Sequence, residues 1–149
     1  MARQPSIFSV ILVLLATLLI SCSGPTVAVA PPTYTPVQLE RIQGYLPKIQ
    51  AVRDRAQELK TLIVQKDWIN VSNFIHGPMT EARLSITYIA PNLLPSQQAE
   101  ARQITRDLLN HLVSIDKAAL SSNTEVALTN YKAAIADVDK FFQLLPDVS

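Results

Sequence analysis

The chain has 149 residues, with 13 Lys+Arg against 12 Asp+Glu, 48% hydrophobic residues, ten Pro and one Cys. That length holds one ordinary domain rather than two, and a formal charge of +1 lacks the clustered positive charge that a nucleic-acid binder needs. One Cys makes neither an internal disulfide nor a thiolate zinc site, and 17% charged residues is low enough that some apolar segment must inflate the average.

That segment is the N-terminus. After Met1-Ala2-Arg3-Gln4-Pro5-Ser6 an apolar run from Ile7 to Ile20 is broken only by Ser9 and Thr17. It is shorter than the ~18–20 residues a spanning helix prefers and has the layout of an export signal. It ends in Leu19-Ile20-Ser21-Cys22, which resembles the lipobox of bacterial lipoproteins. Small Ser21 admits a peptidase, and the Cys22 thiol would carry a diacylglyceryl thioether. The other reading is an uncleaved anchor in which Cys22 is incidental. Two or more acyl chains give stable membrane attachment, where one is marginal.

Residues 1–21 are thus expected to be a signal peptide and 22–35 a lipidated tether. Pro25, Pro31 and Pro32 fall in that tether, removing donors and fixing φ, so it builds no ladder. At ~3.1 Å per residue a dozen such residues reach roughly 35 Å. Residues 36–149 form the domain.

Helical periodicity starts at Thr35-Pro36-Val37-Gln38, with Thr35 as cap, Pro36 at the first helical position and Gln38 closing a capping box. Ile42, Leu46, Ile49, Val52, Ala56, Leu59 and Ile63 form one stripe, and Pro47 within it predicts a kink. Lys66-Asp67 is the expected break, Asp67 capping a second stripe of Trp68, Val71, Ile75, Met79, Ala82, Ile86 and Ile89. Gly77-Pro78 predicts a second kink or a short non-helical step. Pro91 and Pro95 bracket a loop, after which Ser96 opens a third helix with Ile104, Leu108, Leu112, Ile115 and Ala119 inward. Ser122-Asn123-Thr124-Glu125 reads as another capping box. It opens a fourth helix with Leu128, Tyr131, Ile135, Val138, Phe142 and Leu145 inward, which Pro146 stops. Four such segments with short connections predict an all-α, antiparallel up-down four-helix bundle.

Little in this bundle points to catalysis. Ser114-Ile115-Asp116-Lys117 matches S-x-x-K, but mid-helix and without the partner motifs of penicillin-binding enzymes. The two His residues, His76 and His111, lie off the apolar stripes, and there is no C-x-x-C-H for haem. Asp107 and His111, spaced i, i+4, are a weak, adventitious metal candidate. No Glu-x-x-His supports a di-iron site, and Asp137-Val138-Asp139 lacks the Gly and closing Glu of a calcium loop. The expectation is a protein that is not an enzyme and binds no cofactor directly.

Charge placement says more. Residues 37–66 net +3, residues 67–95 net −1 and residues 96–149 net −2. A basic first helix could steer docking onto a charged partner, although solvated faces give the same pattern. The candidate contact residues are Arg41, Lys48, Arg53, Arg55 and Lys60, with the Gly77-Pro78 step.

The segment Trp68-x-x-Val71-x-x-Phe74-Ile75-His76-Gly77-Pro78-Met79-x-Glu81-x-Arg83 resembles the second helix of PsbQ-type extrinsic proteins of photosystem II. Asn92-Leu93-Leu94-Pro95, Leu108-x-x-His111-Leu112-x-x-Ile115-Asp116-x-Ala118-Ala119 and Tyr131-Lys132-x-Ala134-x-x-Asp137-Val138-Asp139-x-Phe141 continue the similarity in order. It covers about residues 36–146. With the lipobox, the likeness is to the cyanobacterial lipoprotein branch of that family.

The resemblance implies a non-catalytic subunit on the lumenal side of the thylakoid membrane, anchored by lipid. Its partners would be the photosystem II core and the other extrinsic subunits. It would support the oxygen-evolving complex and retention of its calcium and chloride without ligating the manganese-calcium cluster. Plant members dock through a long N-terminal region that Cys22 and the tether replace here, so their docking residues do not carry over. The competing expectation is a general envelope lipoprotein whose four-helix domain carries a ligand or metal.

Overall fold

A computed structural model describes residues 32–147, and within them every regular element is helical. The expected signal peptide, Cys22 and the expected tether up to residue 31 lie outside the described residues. Helices α1 (Pro36–Asp54) and α2 (Ala56–Val64) form a first rod; α3 (Trp68–Phe74) and α4 (Thr80–Ile89), joined by a π-helical turn at Ile75–Met79, form a second. Helix α5 (Pro95–Leu120) is the third rod and α6 (Thr124–Leu144) the fourth. Each rod packs against the next, and the first closes on the fourth through α2 and α6. Along the first pair, α1 packs on α4 and α2 on α3. The shared interior includes Ile42, Leu59, Met79, Ile86, Leu108, Ile115 and Phe141, all fully buried. No helix among the described residues is long and apolar enough to cross a membrane.

Local chemistry accounts for most boundaries. At Thr35 the hydroxyl accepts the Gln38 N–H at 3.3 Å and the Gln38 side chain accepts the Thr35 N–H at 2.9 Å, with Pro36 at the first helical position. The first rod ends where Lys66 enters the left-handed region at φ 59°. There the Asp67 N–H bonds the Leu62 carbonyl and the Lys66 N–H that of Ile63, the pairing of a Schellman motif. Asp67 then caps α3, accepting the Asn70 N–H. The same device ends α5, with Ser122 at φ 53° and Asn123 N–H on the Ala118 carbonyl. Leu145, before Pro146, is extended at ψ 145° and ends α6.

Three expectations change, and the first rod gains a break. Helix α1 continues through Pro47 to Asp54, and the rod is interrupted at Arg55, whose φ and ψ are −96° and 7°. The third rod starts at Pro95, one residue before Ser96, because Pro suits the first helical position and the Gln97 side chain takes the Leu94 N–H. The cap of α6 is Asn123, whose side chain accepts the Val126 N–H, since Ser122 is committed to closing α5. The inner line of α6 is Ala127, Tyr131, Ala134, Val138 and Phe141, while Leu128, Ile135, Phe142 and Leu145 flank it, half-buried. Small Ala127 and Ala134 face the neighbouring rod, and α5–α6 is the most extensive contact of the bundle. Large side chains in that line would hold the backbones apart.

Gly77-Pro78 sits in the π turn. Pro78 offers no N–H, so the ladder widens to i→i−5, with the Thr80 N–H on the Ile75 carbonyl. The Thr80 hydroxyl donates to that same carbonyl at 2.9 Å. Beside the start of α1, Tyr34 donates its hydroxyl to Gln97, and Gln97 donates to the Leu144 carbonyl at 2.9 Å. These bonds tie the chain entering α1 to the start of α5 and the end of α6.

Candidate functional site

The five basic residues of the first rod fare differently. Arg53 places its Nε 2.9 Å from Asp139 of α6 and lies over the Phe142 ring, 4.7 Å from the centroid. Arg55 makes a two-pronged pair with Glu58 at 2.8 and 2.9 Å and covers the Phe74 ring at 4.9 Å. That pairing raises the Arg55 pKa and lowers that of Glu58. Lys48 sits 4.0 Å from Glu81. Arg41 is exposed and Lys60 half-buried, neither with an acid within 4.0 Å among the described residues.

Two of these cations converge with the Gly77-Pro78 step. Lys48 and Arg55, with Pro47, Ala51, Gly77 and Pro78, line a recess of about 360 Å³ between α1 and the π turn. Gly77 holds no positive φ, and a Cβ there would meet nothing within 4 Å. The break at Arg55 and the widened turn face each other across this recess, so both irregularities of the first two rods border it. Arg41, Arg53 and Lys60 do not line it.

The Asp107–His111 pair lies on the α5 face that meets α6. Gln103 donates to Asp107 at 2.8 Å; His111 places Nδ1 3.2 Å from Asn130 Oδ1 and Nε2 3.6 Å from Asp137 Oδ2. Among the described residues no three His, Cys, Asp or Glu side chains converge as a metal group. The centre of this cluster is Asp137, 4% exposed, with Lys140 Nζ at 3.6 Å. Burial pushes its carboxyl above the usual range; His111 and Lys140 pull the other way, and Asp107 adds to the rise. Reading Asp137-Val138-Asp139 only as a failed calcium loop missed this burial. The signal was available: Asp137 falls three residues after Ala134 and four before Phe141, on the small-residue side of α6.

Residues 3–146 match the family model described as oxygen evolving enhancer protein 3, PsbQ. The chain belongs to the PsbQ family. Among PsbQ-like relatives, CyanoQ of Synechocystis sp. (strain ATCC 27184 / PCC 6803 / Kazusa) is 37% identical over 150 residues, covering 100% of both chains. The PsbQ match takes in most of the N-terminal apolar segment as well as the bundle.

Proposed function

We propose that the protein is a non-catalytic extrinsic subunit of photosystem II, lipid-anchored through Cys22 on the lumenal side of the thylakoid membrane. The observation that carries this is the PsbQ family match over residues 3–146, with a cyanobacterial relative aligned end to end. In this reading the four rods form an antiparallel up-and-down bundle, supported by the pairing of α1 with α4 and α2 with α3. The bundle adds protein mass and hydrogen-bonding surface beside the oxygen-evolving complex and slows loss of its calcium and chloride, ligating neither. Lys48, Arg55, Gly77 and Pro78 provide one contact recess, and Arg41 and Lys60 steer approach through charge.

The test is affinity capture of the tagged full-length protein from cyanobacterial thylakoids. Photosystem II core and extrinsic subunits should co-purify in fixed ratio, and oxygen evolution of membranes lacking the protein should need more added calcium and chloride. Capture of other envelope proteins without photosystem II would overturn the reading and favour a general carrier lipoprotein.

A further inference from the structure

The outer face of α5 carries a second seam that the bundle core does not use. Arg102, Arg106, Leu109, Val113, Asp116 and Leu120 recur at steps of four and three, the spacing that keeps side chains in one line toward a partner helix. Leu109, Val113 and Leu120 are 42%, 43% and 85% exposed. The facing edge of the second rod repeats the rhythm in His76, Thr80, Arg83 and Thr87, continued by Ala90 in the short turn after it. Two recesses lie in succession between these edges. One of about 360 Å³ is floored by Ile75 and Leu112, and one of about 280 Å³ lies among Thr87, Ala90 and Thr105. From residue 102 to residue 120 the groove follows about 27 Å of helix at 1.5 Å per residue.

Charge along this groove is predominantly positive. Arg83 and Lys117 border the first recess, Arg102 and Arg106 the second. None of the four has a carboxylate within 4.0 Å among the described residues, unlike Lys48, Arg53 and Arg55. The one acid lining the recesses, Asp116, is held by the Ser72 hydroxyl at 3.1 Å and His76 Nε2 at 3.2 Å. With four cations against this one acid, the groove presents net positive charge to an occupant.

We propose that the groove between α4 and α5 docks an acidic amphipathic helix of a protein partner. Its apolar edge fills the two recesses, and its flanking carboxylates meet Arg83, Arg102, Arg106 and Lys117. Two 4-3 seams side by side are the complement of a third helix laid along them. A second copy of this chain fits poorly, because a two-fold contact on this face sets the same four cations against themselves. A lipid surface leaves concave recesses unfilled. The inference rests on the extrinsic-subunit reading only for where the partner resides, and the two are tested separately.

The first arm titrates the full-length protein, in detergent, with a fluorescent 18-residue peptide carrying Leu at 4-3 spacing and Glu on its flanks. A peptide with Lys in place of Glu serves as control. The acidic peptide should bind about ten-fold more tightly than the basic one, and R83E/R102E/R106E/K117E should reverse that preference, as several exposed ion pairs would give. R102Q/R106Q, a milder change on exposed positions, should lower affinity for the acidic peptide without altering the thermal melt. Equal binding of both peptides overturns the groove assignment. The second arm places a photocrosslinking residue at Val113 or Leu120, with exposed Val64 as control, and mixes the protein with photosystem II membranes. Adducts to an acidic helical segment of another protein support the proposal; adducts to lipid, to a second copy, or at Val64 alone overturn it. If the protein does not bind these membranes at all, the photosystem reading falls and the peptide arm still decides the groove.

Discussion

Asp137 is a carboxyl placed where a hydrophobe would pack, and its surroundings set the sign of its effect. Burial raises its pKa more than His111 and Lys140 lower it. A folded state that holds the proton more tightly than the unfolded chain gains stability from this group at acid pH. It loses that gain as pH rises from the ordinary carboxylate value, about 4, through the raised one. Asp137→Asn keeps the shape and removes the charge. At pH 7 the variant should unfold at higher urea, by about 1 kcal/mol, the scale of one under-satisfied buried polar group, and this advantage should vanish below pH about 4. An unchanged urea midpoint at pH 7 would mean that the His111 and Lys140 contacts fully offset burial. The second residue-scale argument concerns Lys66 and Ser122, non-glycine residues at φ 59° and 53°. Side chains there crowd the backbone by roughly 1–2 kcal/mol, partly offset by the greater unfolded-state entropy of Gly. Lys66→Gly and Ser122→Gly should each stabilise by about 0.5–1 kcal/mol in thermal melts.

At the scale of elements, the rods were legible because hydrophobic period, capping chemistry and Pro placement agree along most of the chain. Thr35, Asp67 and Pro146 act as their chemistry dictates, and the second and third stripes are buried or half-buried throughout. The fourth was misphased because Leu128, Ile135 and Phe142 outweigh Ala127, Ala134 and Phe141 in any count of apolar mass. Close approach to α5 selects the small residues, and that selection is tertiary. The basic rod was visible as charge, but its pairing with Asp139, Glu58 and Glu81 depends on side chains that only the fold brings near. The π turn yields a prediction. A Cβ at Gly77 meets open space, so Gly77→Ala should stabilise the isolated protein by about 0.5–1 kcal/mol. If the adjoining recess is a contact surface, the same methyl should weaken retention on photosystem II membranes. Stabilisation without loss of retention would move the contact elsewhere.

At the scale of the whole molecule, the lone Cys and the net charge become separable. Cleavage of the proposed leader after Ser21 would take Arg3 with it and leave 12 basic against 12 acidic side chains. The helices lie in one compact unit that begins at Pro32, so the proposed lipid at Cys22 should contribute attachment and not fold stability. Tethering raises local concentration and multiplies affinity by ~10²–10⁴ when the linker spans the distance between sites, so a bundle with modest contacts suffices. Cys22→Ser should therefore melt at the wild-type temperature when compared as purified protein. It should move from the membrane to the soluble fraction and bind isolated photosystem II more weakly by a factor within that range. Affinity of the soluble variant should also fall as salt rises, because Arg41, Lys60, Arg83, Arg102, Arg106 and Lys117, unpaired among the described residues, then carry the encounter. A Cys22→Ser protein that stays fully membrane-attached and co-purifies undiminished would show that the bundle alone holds the complex, and the lipid would lose its assigned role.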